Sequence, residues 1–311
     1  MYLVTGGAGF IGASVAEALV ARGDRVRILD NFSTGSRDNL MGFENQVEIV
    51  EGDLRDLVAV RRAMDGVTYV SHQAALRSVP RSVDDPLSSD DVNTHGTLHV
   101  LVAAREAKVR RVVYASSSSA YGDSELLPKV EDQTPQPISP YAVSKLAGEQ
   151  YCRVFAKIFG LETVSLRYFN VFGPKQSPES KYAAVVPLFI RAALHDEPLE
   201  VHGDGEQSRD FTYIDNVVQA NFRSFTAPKA SGETFNVACG ERYSVITIAR
   251  TIERLLERPI RIKHLPPRAG DVRHTLASIE KAQRLLDYHP GVGFEEGMRR
   301  TVAALRASLK L

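Results

Sequence analysis

The sequence has little cysteine and no excess charge of either sign. Cys152 and Cys239 are the only cysteines among 311 residues, which argues against a disulfide framework and against a cysteine metal site. A reducing, cytoplasmic setting suits such a chain, and we expect no bound metal. Lysine plus arginine and aspartate plus glutamate both total 38. The basic surplus that is typical of nucleic-acid binders is missing, so no nucleic-acid partner is expected.

Long apolar runs are missing as well. No stretch of the sequence approaches the ~20 apolar residues that a membrane-spanning helix needs, so no membrane partner is expected. The chain begins on the apolar segment 2–5, without the basic stretch and cleavage site of a secretory leader. We therefore expect no leader.

Short apolar segments and helical patterns alternate through the first half of the chain. Segments rich in Val, Ile and Tyr predict strands at 2–5, 25–30, 47–51, 68–72, 112–116 and 163–168. Helical periodicity predicts helices at 11–22, 57–64, 93–108 and 142–159. This alternation predicts an α/β fold, with a doubly wound parallel (Rossmann) sheet that carries helices on both faces.

Prolines and glycines interrupt the pattern after Phe172. Helices are plausible near 185–195 and 246–257, and the segments 211–227 and 234–238 favour one more helix and strand that return to the sheet. We therefore predict a first domain of residues 1–173 plus 212–240. A smaller mixed α/β domain of residues 174–211 plus 241–311 is expected to bind the substrate.

A glycine-rich turn, TGGAGFIG, joins the first predicted strand to the first predicted helix. Gly6, Gly9 and Gly12 allow the tight turn and close backbone approach that a pyrophosphate needs at a helix N-terminus. Three glycines alone are weak evidence, and the flanking strand and helix strengthen the prediction. Asp30 ends the second strand, where a carboxylate binds a ribose and repels an extra phosphate, which favours NAD over NADP. Asp53 could contact the adenine or cap a helix.

Tyr141 and Lys145 stand one helical turn apart in YAVSK, so both side chains lie on one face of a helix. The charge of Lys145 is expected to lower the pKa of Tyr141 from about ten, which makes the phenol a general base or acid toward a hydroxyl.

Four serines, Ser116 to Ser119, lie at the C-terminal end of the fifth predicted strand. Open α/β sheets place their ligands at the carboxyl ends of strands. Ser117 is therefore expected to share a substrate proton with Tyr141, while a polar loop remains the alternative for its neighbours.

Together these residues resemble the extended short-chain dehydrogenase/reductase family, and within it the UDP-sugar 4-epimerases, including those acting on UDP-N-acetylglucosamine. The resemblance spans nearly the whole chain through TGGAGFIG, LDNFSTG, HQAALRSVPRS, SSSSAYG, SPYAVSK, LRYFNVFGP, GDGEQSRDFTYIDN and AGDVRH. It implies that the first domain binds NAD and that the second binds the UDP-sugar.

The resemblance also implies roles for individual residues. It implies a catalytic triad of Ser117, Tyr141 and Lys145. It implies NAD contacts by Gly6, Gly9, Phe10, Ile11, Gly12, Asp30, Asn31, Ser33, Gly35, Asp53, Leu54, Gln73, Ala74, Ala75, Arg77, Lys145 and Tyr168. It implies UDP-sugar contacts by Ser117, Ser118, Ser119, Tyr141, Asn170, Ala184, Val185, Glu200, Val201, His202, Arg209, Arg268, Asp271 and Thr275.

Among the implied substrate contacts, Asn170 holds the sugar diphosphate, and Arg209 and Arg268 grip the two phosphates, a task that suits planar guanidinium groups. Asp271 contacts the uridine ribose, and the segment 200–202 runs along the uracil. In isolation, a surface salt bridge of Arg209 with Asp210 would be the better interpretation.

The implied reaction is NAD-dependent 4-epimerisation of a UDP-hexose through a 4-keto intermediate. In this family a bulky tyrosine at the position of Thr275 tends to exclude the N-acetyl group. Thr275 and Ala184 are small, so we expect the UDP-glucose/UDP-galactose pair and also the UDP-N-acetylglucosamine/UDP-N-acetylgalactosamine pair to be accepted.

Four alternatives stay open. A UDP-glucuronate 4-epimerase is closest, because Arg77 could face a substrate carboxylate. A nucleotide-sugar 4,6-dehydratase needs an Asp–Glu pair where this chain has Ser118 and Ser119. The segment AALRSVPRS looks less like that of the UDP-glucuronate decarboxylases. A non-catalytic NAD-binding sensor usually lacks part of the triad, which is complete here.

Family members commonly pair through two helices in a four-helix bundle, which implies a homodimer. Here the helices are expected at 93–108 and 144–159. Their apolar face could consist of Val100, Leu101, Ala104, Leu146, Tyr151 and Phe155, although burial beneath the chain's own sheet would also explain these residues.

Overall fold

A seven-stranded, all-parallel sheet forms the centre of the computed structural model, which describes residues 1–179, 183–267 and 272–308. The spatial order of its strands is β11-β6-β5-β4-β1-β2-β3. These strands are β1 (Tyr2–Thr5), β2 (Val26–Asp30), β3 (Val47–Glu51), β4 (Tyr69–His72), β5 (Arg111–Ser117), β6 (Glu162–Tyr168) and β11 (Glu233–Val237). The doubly wound α/β prediction is confirmed.

Shorter strands pair outside this sheet, namely β7 (Val171–Phe172) with β10 (Thr212–Tyr213), β9 (Ser208–Arg209) with β12 (Tyr243–Ser244), and β8 (Leu199–His202) with β13 (Ile262–Leu265). The helices are α1 (Phe10–Ala21), α2 (Leu57–Met64), α3 (Val79–Asp84), α4 (Pro86–Asp90), α5 (Gly96–Glu106), α6 (Pro140–Phe159), α7 (Val185–Leu194), α8 (Ile214–Thr226), α9 (Val245–Leu256), α10 (Glu280–Leu286) and α11 (Phe294–Ser308). Within the described ranges, no helix is long and apolar enough to cross a membrane.

The two faces of the sheet carry separate apolar cores because side chains alternate along each strand. Val4 and Ile28 pack on one face beneath α1 and α8, in a core that continues to α7, α9 and α11. Leu3 and Leu29 pack on the other face beneath α2, α5 and α6. The resulting three-layer scaffold holds the carboxyl ends of the strands, from which the loops around the site arise.

The order in which successive strands are added to the sheet reverses between β1 and β4. Strands β2 and β3 lie on one side of β1, whereas β4, β5 and β6 lie on the other. Such a switch point opens a crevice at the carboxyl ends of the strands, where open α/β sheets bind ligands. The strand predicted at 234–238 joins this sheet as β11 beside β6, and the proposed domain boundaries remain a prediction.

Two predicted helices differ from the structure. The helix predicted at 93–108 is interrupted, since Asp91–His95 forms a π-helical turn before α5 begins at Gly96. The helix predicted at 211–227 begins only at Ile214, after the short strand β10. In both cases contacts with residues far away in sequence decide the local structure, and helical periodicity does not report these contacts.

Candidate active site

A cavity of about 1040 Å³ opens at the carboxyl ends of the central strands. Its wall combines the β1–α1 turn, the ends of β2, β4 and β5, the start of α6 and the short strand β9. Lining it are all three implied catalytic residues and all the implied NAD contacts: Gly6, Gly9, Phe10, Ile11, Gly12, Asp30, Asn31, Ser33, Gly35, Asp53, Leu54, Gln73, Ala74, Ala75, Arg77, Ser117, Tyr141, Lys145 and Tyr168. The fold thus brings together residues that are spread over most of the chain.

The glycine turn has no room for side chains. A Cβ atom on Gly12 would lie 2.1 Å from the Gly6 carbonyl oxygen, and Gly6 itself has a φ of +64°. The Gly9 N–H donates to the Gly6 carbonyl at 3.0 Å, and Gly9 is the N-cap of α1. Since glycine has no side chain to cap a helix, the first N–H groups of α1 are available to an anion such as a pyrophosphate.

The acidic residue at the end of β2 is held in a fixed orientation. One Asp30 oxygen accepts from the Ala8 N–H at 2.9 Å, and the other accepts from the Phe32 N–H at 2.8 Å. Asp30 is buried, and it lines the cavity next to the glycine turn. A carboxylate fixed there suits the ribose of NAD, so the residues present fit this cofactor.

The Asp53 carboxylate accepts hydrogen bonds from neighbouring side chains and does not cap a helix. It accepts from Nε and Nη2 of Arg55, both at 2.9 Å, and from Nδ2 of Asn31 at 2.7 Å. These bonds, led by that with Arg55, hold the pKa of Asp53 well below its usual range. The N-cap of α2 is Asp56 instead, so the capping alternative for Asp53 is wrong.

A polar network forms the floor of the cavity between β4 and β6. Gln73 Nε2 lies 3.1 Å from the Tyr168 hydroxyl and 3.0 Å from Asn221 Oδ1, and Asn221 Nδ2 donates to the same hydroxyl at 2.8 Å. Burial raises the pKa of Tyr168 to about 12, so its phenol stays neutral and serves as a rigid contact.

Tyr141 and Lys145 occupy the first two turns of α6, and both line the cavity. Burial raises the pKa of Tyr141, while the neighbouring Ser117 hydroxyl and the charge of Arg77 act in the opposite direction. Burial also lowers the pKa of Lys145 to about 8.

The expected effect of Lys145 on the phenol is therefore not the one observed. The Lys145 ammonium lies 4.5 Å from the ring centroid of Tyr114, and the groups that lower the pKa of Tyr141 are Ser117 and Arg77. Because desolvation outweighs both, the net pKa shift of Tyr141 is upward rather than downward.

The serines after β5 form a small hydrogen-bonded group. Ser117 Oγ accepts from the Ser119 N–H at 3.2 Å and lies 2.8 Å from Ser119 Oγ. Ser118 and Ser119 line the same cavity. The hydroxyl of Ser117 thus joins Tyr141 to a chain of further hydroxyls at the place where the reacting sugar is expected.

The implied substrate contacts divide into three groups. Lining the cavity are Ser118, Ser119, Asn170, Ala184, Arg209 and Thr275. Outside the lining of that cavity, among the described residues, are Val185, Glu200, Val201 and His202. Arg268 and Asp271 lie outside the described residues. The roles of all of them remain predictions.

The segment 200–202 belongs to β8. The Val201 side chain is fully buried in the core, so any contact of Val201 with a ligand would have to use its backbone. Glu200 pairs with Lys263 at 3.1 Å, and His202 Nδ1 lies 3.0 Å from the Pro266 carbonyl.

Arg209 and Asp210 lie side by side but have different surroundings. Arg209 Nη1 donates to the carbonyls of Ser208 and Arg273 at 3.0 and 3.1 Å. Asp210 is fully buried, and its carboxylate accepts from the N–H groups of Cys239 at 2.9 Å and Gly240 at 3.0 Å. Burial raises the pKa of Asp210 to about 7 against these donors. Asp210 thereby holds the loop after β11 next to the strand that carries Arg209.

The sequence interpretation missed two polar residues. The Asn93 amide, in the π-helical turn, bonds both the N–H and the carbonyl of Leu76 at 2.8 and 3.1 Å and donates to Ser144 at 3.1 Å, which fixes the loop before Arg77 against α6. Gln176 lines the cavity, and its buried Oε1 has no hydrogen-bond partner among the described residues. A π-helical turn often marks a functional site, but neither residue lies in a pattern that predicts its position.

Comparison with known proteins agrees with this geometry. Residues 2–238 match the NAD dependent epimerase/dehydratase family. A UDP-glucose 4-epimerase of Mycolicibacterium smegmatis is 37% identical, covering 98% of either chain. The structure of a UDP-N-acetylglucosamine 4-epimerase of Methanobrevibacter ruminantium, in complex with UDP-N-acetylmuramic acid, is 38% identical with a TM-score of 0.94, covering 99% of this chain and 98% of that one.

A second solved structure resembles the chain over 99% of both chains. It is the UDP-glucuronic acid 4-epimerase of Bacillus cereus in complex with UDP-glucuronic acid and NAD, 30% identical with a TM-score of 0.92. The fold of this chain is thus shared with these proteins along its whole length. The protein belongs to the NAD dependent epimerase/dehydratase family.

Proposed function

We propose that this protein catalyses the NAD-dependent 4-epimerisation of a UDP-hexose through a 4-keto intermediate. The observation that carries the proposal is that Tyr141, Lys145 and Ser117 line the same cavity as the glycine turn and Arg209, with the Ser117 hydroxyl close enough to lower the pKa of the Tyr141 phenol. This arrangement puts an acid–base hydroxyl pair between a cofactor site and a phosphate-binding cation.

Different residues of the chain bind the cofactor, transfer the proton and bind the diphosphate. The glycine turn and Asp30 hold NAD, which, when bound, accepts a hydride from carbon 4 of the sugar and returns it. Tyr141 takes the proton of the 4-hydroxyl and later gives it back, with Ser117 sharing the proton. Arg209 holds the diphosphate, so the sugar can turn over without leaving the site.

Epimerisation is favoured over dehydration by the residues that follow Ser117. Ser118 and Ser119 present hydroxyl groups to the cavity. Their unperturbed hydroxyls do not supply the carboxylate acid and base that remove water from a 4-keto sugar. The 4-ketone is therefore reduced again rather than dehydrated.

Initial rates on UDP-glucose, UDP-N-acetylglucosamine and UDP-glucuronate, measured side by side without added cofactor, test this proposal. We expect the first two to be converted to their 4-epimers. Bound NAD without turnover of any UDP-sugar would identify a binding protein rather than an enzyme and would overturn the proposal.

The substrate range is proposed to depend on Thr275, a small residue in the cavity wall whose N–H donates to the Ser208 carbonyl at 3.0 Å. A Thr275→Tyr variant adds a ring where the N-acetyl group is expected. We expect kcat/KM for UDP-N-acetylglucosamine to fall about 100-fold, with UDP-glucose changed less than about threefold.

The control for this prediction is Thr275→Val, which keeps the size of the side chain and removes its hydroxyl. It should leave the ratio of the two kcat/KM values unchanged. Unaltered turnover of the N-acetyl sugar by Thr275→Tyr, in a protein that still unfolds at its normal temperature, would show that position 275 does not limit the pocket.

UDP-glucuronate epimerisation is the second candidate, and Arg77 is the observation that favours it. Its guanidinium lines the cavity and acts electrostatically on Tyr141, so it could also face a substrate carboxylate. The relative from Bacillus cereus was solved with UDP-glucuronic acid. A kcat/KM for UDP-glucuronate above those for UDP-glucose and UDP-N-acetylglucosamine would identify the protein as a UDP-glucuronate epimerase.

Four of the six residues predicted for the homodimer contact are buried within the chain, whereas Leu146 and Tyr151 on α6 are only partly buried. Val100, Leu101 and Ala104 are fully buried beneath the chain's own sheet, as is most of Phe155, so they cannot form an apolar face between subunits. An exposed apolar stripe on α6 is available instead, consisting of Val143, Val154 and Ile158. These residues follow helical spacing along one side of α6. We propose that this stripe pairs two copies of the chain. We also propose that the protein works in the reducing cytoplasm, which suits its two unpaired cysteines.

An Ile158→Asp variant tests the dimer, since it buries a charge in the proposed contact. Light scattering after size exclusion should show a mass near 34.2 kDa, the mass of one chain, where the unaltered protein shows twice that. Val58→Asp, at an equally exposed apolar position on α2, should remain dimeric. A monomeric unaltered protein would contradict the proposal.

A further inference from the structure

A buried ion pair connects β6 to the two elements that carry the reacting side chains, β5 and α6. Glu149 on α6 accepts from Arg167 on β6 through both oxygens, at 2.9 Å from Nε and 2.8 Å from Nη2. The Glu149 oxygen that faces Nε also accepts a short hydrogen bond from Ser116 on β5. Glu149 is 3% exposed, and the Arg167 side chain is 4% exposed.

The Glu149–Arg167 pair lies next to residues of the site. Glu149 follows Tyr141 and Lys145 at intervals of four residues, so the three lie on one face of α6. Ser116 immediately precedes Ser117, and Arg167 immediately precedes Tyr168, which lines the cofactor end of the cavity. Each partner of Glu149 therefore lies next to a residue of the site in sequence.

We propose that Glu149 is a positioning residue for the reaction: by binding Ser116 and Arg167 at once, its carboxylate fixes the end of β5, which carries Ser117, against α6, which carries Tyr141 and Lys145. This inference rests on the proposed function for its chemistry, but its test does not depend on which UDP-sugar is the substrate.

The same carboxylate also acts on the charge of Lys145. The titratable and charged groups linked by charge or hydrogen bonds to Lys145, Glu149 and their neighbours include Tyr141 and Cys152 on α6, Tyr114 on β5, His72 on β4, Arg167 on β6, and Tyr121 and Glu131 beside Arg167. Burial lowers the pKa of His72 to about 3 and raises that of Cys152 to about 12. Cys152 and Glu149 are the two groups that act to raise the pKa of Lys145. Because the thiol of Cys152 is neutral at pH 7, Glu149 is the charged one of the two.

The direction of the pH effect follows from this charge. Burial lowers the pKa of Lys145 to about 8, and Cys152 and Glu149 oppose the decrease. Without the carboxylate, Lys145 would lose its proton at a lower pH, because a cation is less stable in a buried position that lacks an anion. If protonated Lys145 is needed for turnover, the alkaline decline of kcat must then begin at a lower pH.

The experiment compares Glu149→Gln with the unaltered protein. The amide still accepts from Ser116 but carries no charge. We expect kcat at pH 7 to fall about tenfold with KM changed less than about twofold, and the alkaline limb of the kcat profile to move down by about one pH unit. NAD content after purification should be unchanged.

Because Glu149→Gln leaves Arg167 buried without an anion, its thermal midpoint should fall by about 10 °C. The double variant Glu149→Gln/Arg167→Gln removes both charges and should recover part of that stability while it keeps the shifted pH limb. A double variant with the normal pH profile and normal kcat would show that the pair only stabilises the fold, and would overturn the inference.

The matched control is Glu162→Gln. Glu162 pairs with the buried Arg111 at 2.8 Å on the same two strands, β6 and β5, at their opposite ends. It should lower the thermal midpoint without moving the pH limb. A similar pH shift in this control would contradict the inference, whereas turnover of no UDP-sugar by the unaltered protein would instead refute the proposed function.

Discussion

Replacement of Tyr141 by phenylalanine should reduce kcat about a thousandfold while NAD and UDP-sugar remain bound. The phenol is the group in the cavity that can take and return the proton of the 4-hydroxyl, and general acid–base catalysis contributes roughly 10²- to 10⁴-fold. The ring stays in the cavity wall, and the side chain loses only the hydroxyl beside Ser117. Steady-state kinetics on UDP-glucose, with the NAD content measured from the denatured protein, test this expectation.

Tyr121→Phe is the control for this variant. Tyr121 lies near the same strand end, but its buried hydroxyl donates to Asn236 at 2.7 Å, and it is not part of the proposed proton path. It should lower stability and leave kcat within about threefold. A Tyr141→Phe protein with more than about a tenth of normal kcat would mean that another group moves the proton.

Replacement of Gly12 by alanine should abolish NAD binding, and with it activity. The added Cβ would lie 2.1 Å from the carbonyl oxygen of Gly6 and 2.8 Å from its carbonyl carbon. Both atoms belong to the backbone, so the turn itself must open, and the first N–H groups of α1 must move away from the pyrophosphate. Overpacking of this kind typically costs about 1–3 kcal/mol of stability. NAD content and the unfolding temperature measure the two effects.

Gly291→Ala provides the comparison. A Cβ there would have no atom within 4 Å, and Gly291 does not have a positive φ. This variant should bind NAD normally and unfold at the normal temperature. Retention of NAD by Gly12→Ala would show that the turn tolerates a side chain and that the cofactor contacts lie elsewhere.

The sequence predicts the sheet well because its inner strands are buried on both faces. Five of its strands are short runs of Val, Ile, Leu and Tyr between helical patterns, and such segments have few alternatives in an α/β chain. The π-helical turn at Asp91–His95 could not be predicted in the same way. Within this turn Asn93 makes hydrogen bonds with Leu76 and Ser144, which are 17 and 51 residues away in the sequence.

The candidate site likewise has some features that the sequence predicts and others that it does not. Gly6, Gly9 and Gly12 could be predicted because the turn requires glycine at particular positions in one continuous segment. The charge relations among Tyr141, Lys145 and Arg77 could not, because they depend on burial and on loops that meet only in the folded chain. The apolar residues assigned to a subunit contact illustrate the reverse error, since helical spacing does not distinguish a face buried within one chain from a face buried between two.

The central claim is that a hydride leaves carbon 4 of a UDP-hexose and returns to the same carbon within one active site. UDP-glucose labelled with deuterium at carbon 4, incubated in ordinary water with the purified protein and no added NAD, tests it most directly. We predict by NMR that the UDP-galactose formed retains the deuterium at carbon 4. Loss of the label to solvent, or conversion only when NAD is supplied in proportion to product, would contradict the account.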